Sequence, residues 1–152
     1  MVFVTVDLSI IILNYKTKGL LKQCLRGITD AQLQQSHEVI VVDNHSGDGS
    51  VEMVGEEFPN VRLLAETRNG GFATGMNRGY AIATGEYILI LNPDVAIFAA
   101  AVNRLYEYLQ SHPTVGIVGP KLINPDGTTQ FSCYRFPSPL IPVFRRTPLG
   151  QL

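Results

Sequence analysis

Short apolar runs alternate along this chain with segments of helical periodicity, and this alternation restricts the folds open to it. The runs have the length and the β-branched content of buried strands, and they cover residues 8–13, 38–42, 61–64, 87–91 and 115–118. Strands separated by helices of about a dozen residues need right-handed crossovers and form a mostly parallel sheet covered on both faces. The sequence therefore predicts an α/β fold, a Rossmann-like three-layer α/β/α sandwich.

The segments between the runs carry the signals of four helices. A first helix with one apolar face ends near Asp30, a second opens at residues 48–50 and closes at Pro59, a third covers 71–84, and a fourth begins near Phe98 and stops at Pro113. The first has its stripe at Leu20, Leu21, Cys24, Leu25 and Ile28. Gly75 and Gly79 should weaken the third helix, because glycine is a poor helix former.

Composition and charge narrow the class of protein. Hydrophobic residues make up 45% of the 152 residues and charged residues 16%, and 12 Lys and Arg against 13 Asp and Glu leave a net charge of -1. Such a balance does not indicate a nucleic-acid-binding protein. Cys24 and Cys133 are isolated, which indicates a reduced, cytoplasmic compartment. Residues 2–13 are apolar, but they lack a basic start and are too short for a membrane span.

A carboxylate follows the most apolar strand directly. Asn92-Pro93-Asp94 comes after the run 87–91, and the carboxyl edge of an open α/β sheet is where ligands bind. Pro93 stiffens the turn, and one such carboxylate suits Mg²⁺ or Mn²⁺ that also holds a substrate diphosphate. The alternative is a structural turn in which Asp94 caps the helix that begins near Phe98.

A second polar loop follows the second strand, from Asp43 and Asn44 through Asp48 to Ser50. An acid at this strand tip can accept hydrogen bonds from a base or a ribose, and we favour this role for Asp43. For Asp48 a turn or helix cap is the better interpretation. His45 has no second His or Cys beside it, so we assign it no role.

A glycine-rich loop precedes the third helix. Paired glycines let a backbone approach a ligand, and a helix N-terminus attracts phosphate; the segment runs Asn69-Gly70-Gly71 and continues to Asn77-Arg78. Asn77 and Arg78 point either at a diphosphate or at solvent. The segment lacks both the dinucleotide fingerprint and the P-loop lysine, which argues against an NAD-type oxidoreductase and a P-loop ATPase.

Four segments together resemble the nucleotide-sugar half of family 2 glycosyltransferases with the GT-A fold: residues 9–15 (SIIILNY), 41–50 (VVDNHSGDGS), 69–79 (NGGFATGMNRG) and 85–94 (GEYILILNPD). The similarity covers about residues 8–136. The resemblance implies that Asn14 and Tyr15 line the nucleotide pocket, that Asp43 recognises the base and that Asp94 binds a divalent cation, Mg²⁺ or Mn²⁺. The nucleotide-binding residues expected on this basis are Asn14, Tyr15, Asp43, Asn44, Asn69, Gly70, Gly71, Asn77 and Asn92.

One position departs from the family pattern. Asn92 stands where Asp is usual in the Asp-x-Asp motif, and a neutral amide is a poorer ligand for a hard cation. The Asn-Pro-Asp form is most similar to the rhamnosyltransferase branch. The resemblance then implies inverting sugar transfer from a nucleotide-diphosphate donor, dTDP-rhamnose or a UDP-sugar, to a glycan or lipid-linked acceptor. It also implies that this transfer takes place at the inner face of the cell membrane, in the synthesis of cell-envelope polysaccharide.

The resemblance also predicts the domain organisation. Residues 1–136 would form a truncated GT-A domain and residues 137–152 a Pro- and Arg-rich loop or linker, with a hairpin around Asn124-Pro125-Asp126-Gly127. No counterpart of the family's catalytic base is visible, so we expect it beyond Leu152 and expect little turnover from this chain alone. Apolar surface left uncovered would favour homo-oligomers. A non-catalytic nucleotide-binding or interaction domain is the alternative function.

Overall fold

The computed structural model describes residues 6–130. The chain divides into two compact units between Val118 and Gly119. The first contains β1 (Leu8–Asn14), α1 (Lys18–Ala31), β2 (His37–Asp43), α2 (Ser50–Glu57), β3 (Arg62–Ala65), α3 (Phe72–Ile82), β4 (Tyr87–Leu91) and α4 (Ala99–Ser111). The second contains β5 (Leu122–Ile123) and β6 (Thr129–Gln130). No helix among the described residues is both long and apolar enough to cross a membrane.

The first unit is built on a four-stranded sheet in the order β3-β2-β1-β4. All three neighbouring pairs are parallel, with Asn14 opposite Asp43 and Ile12 opposite Leu91. Parallel pairing brings the carboxyl ends of all four strands to one edge of the sheet. The predicted α/β class with a parallel sheet is confirmed.

Helices cover both faces of this sheet, because successive side chains of a strand point to opposite sides. Ile10 and Ile12 of β1 pack in one cluster with residues of α1, α2 and α4. Ile11 lies in the other cluster, with Met76 of α3. The three-layer sandwich follows from this division. Edge strand β4 leaves Ile90 59% exposed on the α3 side.

The two glycines of α3 bring the helix close to the sheet. A Cβ atom at Gly79 would lie 2.5 Å from Cγ2 of Ile11, and one at Gly75 would clash with the side chain of Leu13. Both glycines are buried. Their lack of a side chain therefore permits the packing of α3, which offsets the low helix propensity that the sequence indicated.

A carboxylate joins three strands at the opposite, amino edge of the sheet. Oε1 of Glu38 accepts hydrogen bonds from Oγ of Ser9 (2.7 Å) and from N and Oγ1 of Thr84 (2.6 and 2.8 Å), and Oε2 accepts one from Arg62 (2.5 Å). Burial acts to raise the pKa of Glu38, but these hydrogen bonds outweigh it and hold the pKa at about 2. Glu38 of β2 therefore links β1, β3 and the loop before β4 through hydrogen bonds.

The predicted strand at 115–118 is wrong. These residues have no regular secondary structure, and Ile117 is 91% exposed. A short apolar run becomes a strand only where a neighbour offers hydrogen bonds, and no described segment pairs with this one. Gly116 within the run and Pro120 after it further weaken its strand propensity.

The predicted hairpin of the second unit is confirmed within the described residues. β5 and β6 pair antiparallel, N of Asn124 donates to O of Thr128 (2.8 Å), and Gly127 has a φ of 83°. The rest of the predicted second arm, residues 131–134, and the proposed boundary at residue 136 lie outside the described part of the chain.

Candidate functional site

The carboxyl edge of the sheet collects polar side chains from loops that are distant in sequence. Asn14 ends β1, Asp43 ends β2, Glu66 follows β3 and Asn92 follows β4. In an open α/β sheet, ligands bind at this edge, where the strand order reverses. Here that point lies between β1 and β4, because β2 and β3 extend the sheet on one side of β1 and β4 lies on the other.

Asn14 is the centre of a buried hydrogen-bond network at this edge. Its Nδ2 lies 2.8 Å from Oδ1 of Asp43, 3.1 Å from Oγ of Ser46 and 2.9 Å from Oγ of Ser50, while Oδ1 accepts from Oγ1 of Thr17 (2.7 Å). The residue has no exposed surface. Asn14 thus joins the ends of β1 and β2 to the starts of α1 and α2, and its contact with a nucleotide stays a prediction.

Asp43 is engaged in the same network. Oδ1 accepts from Asn14, Oδ2 accepts from the backbone N of Ser46 (2.9 Å), and the residue is only 2% exposed. Both oxygens already have partners within the protein. The geometry therefore favours a role for Asp43 in shaping the loop that follows β2, and direct recognition of a base by Asp43 stays a prediction.

The loop after β2 is tied to α1 as well. Asp48 accepts hydrogen bonds from N of Ser50 (3.0 Å), from Oγ of Ser50 and from N of Lys18 (3.1 Å). Burial acts to raise the pKa of Asp48, but these bonds lower it overall. The interpretation of Asp48 as a turn residue is confirmed, whereas the N-cap of α2 is Gly49, with no side-chain cap. His45, which we gave no role, has a positive φ of 62° in this loop.

Asn44 fixes the glycine-rich loop. Its Nδ2 donates to Oδ1 of Asn69 (2.8 Å) and lies 3.4 Å from O of Gly71, and its Oδ1 accepts from N of Gly70 (3.0 Å). Gly71 has a φ of 80°, a conformation that favours glycine, and directly precedes α3. The structure thus brings together four of the predicted site residues, although Asn44 itself is only 3% exposed.

A polar cleft of about 300 Å³ opens beside this loop. It is lined by Asn44, Glu66, Arg68, Asn69, Gly70, Thr74, Gly75 and Arg78. Glu66 and Arg68 are not among the site residues predicted from the sequence. Glu66 could have been found by the rule that singled out Asp43 and Asp94, since it too is the first acid after a strand of the parallel sheet.

Of the nine predicted nucleotide-binding residues, only Asn44, Asn69 and Gly70 line this cleft. Tyr15 is 45% exposed, and Nζ of Lys16 lies 5.3 Å from the centre of its ring. Asn77 is exposed on α3 and is not among the residues that line the cleft. Arg78, one position on, lies on the cleft wall instead.

The Asn92-Pro93-Asp94 segment forms a turn. N of Val95 donates to O of Asn92 (3.3 Å), and Pro93 occupies the second position that such turns favour. Helix α4 begins later, with Phe98 as its N-cap and no side-chain cap. The alternative role of Asp94 as a cap of this helix is therefore wrong, whereas its place in a turn is confirmed.

Asp94 borders a second, smaller pocket together with Cys24 of α1. Burial and, secondly, the negative charge of Asp94 raise the pKa of the Cys24 thiol to about 11, which makes this thiol unreactive near neutral pH. Sγ of Cys24 lies 4.0 Å from O of Asn92. Helix α1 therefore supports the turn that carries Asp94.

The side chains at this edge can hold a cation only if a bound ligand supplies further oxygen atoms. Among residues 6–130, no three His, Cys, Asp or Glu side chains are placed to hold a metal ion together. Asp94 is exposed and offers one carboxylate. Mg²⁺ commonly takes one or two protein carboxylates and completes its shell with phosphate oxygens and water. The residues present fit a divalent cation that is held jointly with a diphosphate.

Comparison with known proteins agrees with this architecture. The family model "Glycosyl transferase family 2" matches residues 9–149. The chain belongs to this family. A similar relative is the N-acetylglucosaminyl-diphospho-decaprenol L-rhamnosyltransferase of Mycobacterium tuberculosis, 30% identical over 111 residues that cover 66% of the chain and 36% of the relative. The poly(ribitol-phosphate) beta-glucosyltransferase of Bacillus spizizenii is 32% identical over 117 residues that cover 72% of the chain and 18% of the relative.

Solved structures show the same fold. The mannosyltransferase PcManGT from Pyrobaculum calidifontis, in complex with GDP-Man and Mn²⁺, matches with a TM-score of 0.63 and 27% identity over 75% of the chain and 35% of its own length. S. aureus TarS in complex with UDP matches with a TM-score of 0.63 and 21% identity over 70% of the chain and 33% of its own length. This family 2 chain thus has the GT-A fold of these transferases and spans about a third of their length.

Proposed function

We propose that this chain binds the nucleotide of a nucleotide-diphosphate sugar at the carboxyl edge of its sheet and serves an inverting glycosyltransferase. The observation that carries the proposal is the polar cleft at this edge, which three separate segments build around Asn44 and the glycine-rich loop. The family relatives that transfer sugars, and the GT-A neighbours that hold UDP or GDP-Man, support it.

The chemistry of the site fits an anionic leaving group. Transfer of the sugar leaves negative charge on a nucleoside diphosphate, and preorganised positive groups stabilise such charge. Arg68 and Arg78 outnumber Glu66 in the cleft, and α3 begins at the glycine-rich loop with its free N–H groups. A divalent cation bound by Asp94 would neutralise further charge on the diphosphate.

The acceptor and its deprotonation are proposed from the family alone. We propose a glycan or lipid-linked acceptor, handled at the cytoplasmic face of the cell membrane in cell-envelope polysaccharide synthesis, in line with the decaprenol-linked relative. A carboxylate outside residues 6–130 would take the proton of the acceptor hydroxyl. Homo-oligomers are proposed as well, since β4 is an edge strand with exposed Ile90.

Calorimetric titration with UDP, dTDP and GDP, each with Mn²⁺ and with EDTA, tests the proposal. We expect saturable one-site binding that strengthens with Mn²⁺. If none of the nucleotides binds under either condition, the site is not a nucleotide site and the proposal fails.

A non-catalytic nucleotide-binding domain is the second candidate. Asp43 and Asp48, two carboxylates at this edge, already accept hydrogen bonds from other residues of the protein. This arrangement favours a structural role for both over a role as catalytic base. Incubation of the full-length product of the gene that encodes this chain with UDP-sugars or dTDP-rhamnose and lipid-linked acceptors separates the two candidates. Nucleotide binding without release of nucleoside diphosphate would identify a binding domain.

A further inference from the structure

The two pockets at the carboxyl edge of the sheet share no lining residue. The polar cleft is lined by residues between Asn44 and Arg78, whereas the smaller pocket, of about 210 Å³, lies between α1 and residues 93–97. Asp94 borders this smaller pocket and is not among the residues that line the cleft. If Asp94 holds a cation on a diphosphate whose nucleotide lies in the cleft, the turn that carries Asp94 has to move.

The turn that carries Asp94 is held by few contacts. Residues 92–98 contain no helix or strand, and N of Val95 donates a long hydrogen bond to O of Asn92 (3.3 Å). In the part of the chain that the structure describes, one side chain donates a hydrogen bond to this segment: Sγ of Cys24 lies 4.0 Å from O of Asn92. A thiol is a weak donor. The loop after β2 is fixed more firmly, by the buried network around Asn14.

Both sides of the turn are anchored, so that only its tip can move. Leu91 at the end of β4 is buried, and Val95 and Ile97 pack against the core cluster that contains Leu91. The tip between these anchors is Asn92-Pro93-Asp94, and the side chains of Asn92 and Asp94 are exposed. A movement of this tip would redirect the carboxylate and leave the core unchanged.

The pocket beside the tip exists because α1 has no side chain there. Gly27 lies on the pocket wall, on the same face of α1 as Leu20 and Cys24, and a Cβ atom at Gly27 would meet no atom within 4 Å. Glycine weakens a helix, and space beside a segment removes the packing contacts that would hold the segment in place. Helix α1 therefore gives the tip little support on this side.

We infer that the tip Asn92-Pro93-Asp94 moves when a cation and a diphosphate bind, and that Gly27 and Cys24 of α1 are positioning residues for this movement. The inference rests on the proposed function, because it concerns the residue that would hold the cation there. A ligand can shift a segment only by as much as it binds the new position better than the old one. Because the open pocket leaves the tip few contacts to break, the movement consumes little of this binding energy.

Gly27→Met tests the inference, because a flexible methionine fills the pocket and adds contacts between α1 and the tip. Calorimetric titration of the full chain with UDP, dTDP and GDP, each with Mn²⁺ and with EDTA, measures the gain in affinity that the cation gives. We expect a gain of at least about fivefold for wild type and of less than about twofold for Gly27→Met. The affinity in EDTA should stay the same.

Gly55→Met is the matched control. Gly55 is an exposed residue of α2, and a Cβ atom there also meets no atom within 4 Å. Both variants should keep or raise the thermal midpoint, because methionine is a better helix former than glycine, but Gly55→Met should keep the wild-type gain from Mn²⁺. If Gly27→Met does not fold, Gly27→Ala replaces it. Its methyl group fills part of the pocket and should lower the gain about twofold.

Hydrogen exchange followed by NMR measures the movement of the tip directly. The amide of Val95 closes the turn, and the amide of Ser46 donates to Oδ2 of Asp43 (2.9 Å) within the buried network. We expect Val95 to exchange at least about tenfold faster than Ser46, because a weakly held turn opens more often. UDP with Mn²⁺ should slow the exchange of Val95, and Gly27→Met should slow it without any ligand. Cys24→Val removes the thiol contact and should speed it.

The outcomes separate the inference from the proposed function. If no nucleotide binds wild-type protein, the proposed function fails and the inference fails with it. If a nucleotide binds equally well with Mn²⁺ and with EDTA, Asp94 holds no cation and the inference alone is refuted. It is also refuted, with the nucleotide site intact, if folded Gly27→Met keeps the wild-type gain or if Val95 exchanges as slowly as Ser46.

Discussion

Replacement of Glu38 by Gln should make the stability of the first unit much less dependent on pH. The carboxylate receives four hydrogen bonds at the amino edge of the sheet, and its pKa lies at about 2 in place of the ordinary 4.5. A pKa that is lowered on folding stabilises the protein above the unfolded pKa. This stabilisation is lost as the pH falls from about 4.5 toward about 2.

The magnitude follows from the shift and the surroundings of the carboxylate. At 1.36 kcal/mol per pKa unit, the full shift corresponds to about 3 kcal/mol. Arg62, one of its partners, is 44% exposed, and solvent screens such contacts. We therefore expect Glu38 to contribute about 1 to 2 kcal/mol to the free energy of unfolding at pH 7 and almost nothing near pH 2.

Urea denaturation of wild type and Glu38→Gln at pH 7, 5, 4 and 3 measures this contribution. The difference in unfolding free energy between the two proteins should shrink steadily below pH 4.5. Glu107→Gln, an exposed acid on α4, is the matched control and should show no such trend. A difference between Glu38→Gln and wild type that stays constant from pH 7 to pH 3 would refute the reasoning, because the hydrogen bonds would then be indifferent to the charge.

Four other substitutions have expected outcomes. Asp94→Asn should abolish the increase in nucleotide affinity that Mn²⁺ gives over EDTA in calorimetry, and Asn92→Asp should enlarge it; identical metal dependence in all three proteins would leave Asp94 as a turn residue only. Asp43→Ala leaves the buried N of Ser46 without its side-chain acceptor and removes one of the three acceptors around Nδ2 of Asn14, so the free energy of unfolding in urea should fall by about 2 kcal/mol and nucleotide affinity should fall with it; unchanged stability would contradict the network. Gly79→Ala would normally strengthen a helix, but here it should lower the thermal midpoint, with destabilisation of about 1 to 3 kcal/mol from overpacking against Ile11.

The regular elements were predictable because each has a periodic signal of its own. The run at 87–91 was predicted as a strand and is β4 (Tyr87–Leu91) with the same bounds. The run at 115–118 is also mostly apolar, yet it is not a strand, since pairing depends on which segment lies beside it. Periodicity reports the pattern of one segment and contains no information about its neighbour.

The position of the candidate site residues at one edge of the sheet was predictable, but their contacts with one another were not. Polar residues at the ends of strands indicated this edge, and the parallel sheet brings the strand ends together there. The sequence could not show that Ser46, Ser50 and Thr17 would surround Asn14, because these contacts arise only when the loops meet in space. For the same reason Asp43 appeared available to a ligand, while Glu66, which is less engaged and borders the cleft, was missed.

The Asn14 network also bears on how quickly a ligand could bind. Its hydrogen bonds connect the loop after β1 with the loop after β2, and Asn44 connects the latter to the glycine-rich loop. Loops that are already ordered in the free protein lose little conformational entropy when a ligand arrives. The floor of the cleft should therefore be ready before binding, and association should be limited by encounter with the ligand and by small movements of Arg68 and Arg78 on its rim, with no slow rearrangement of the backbone.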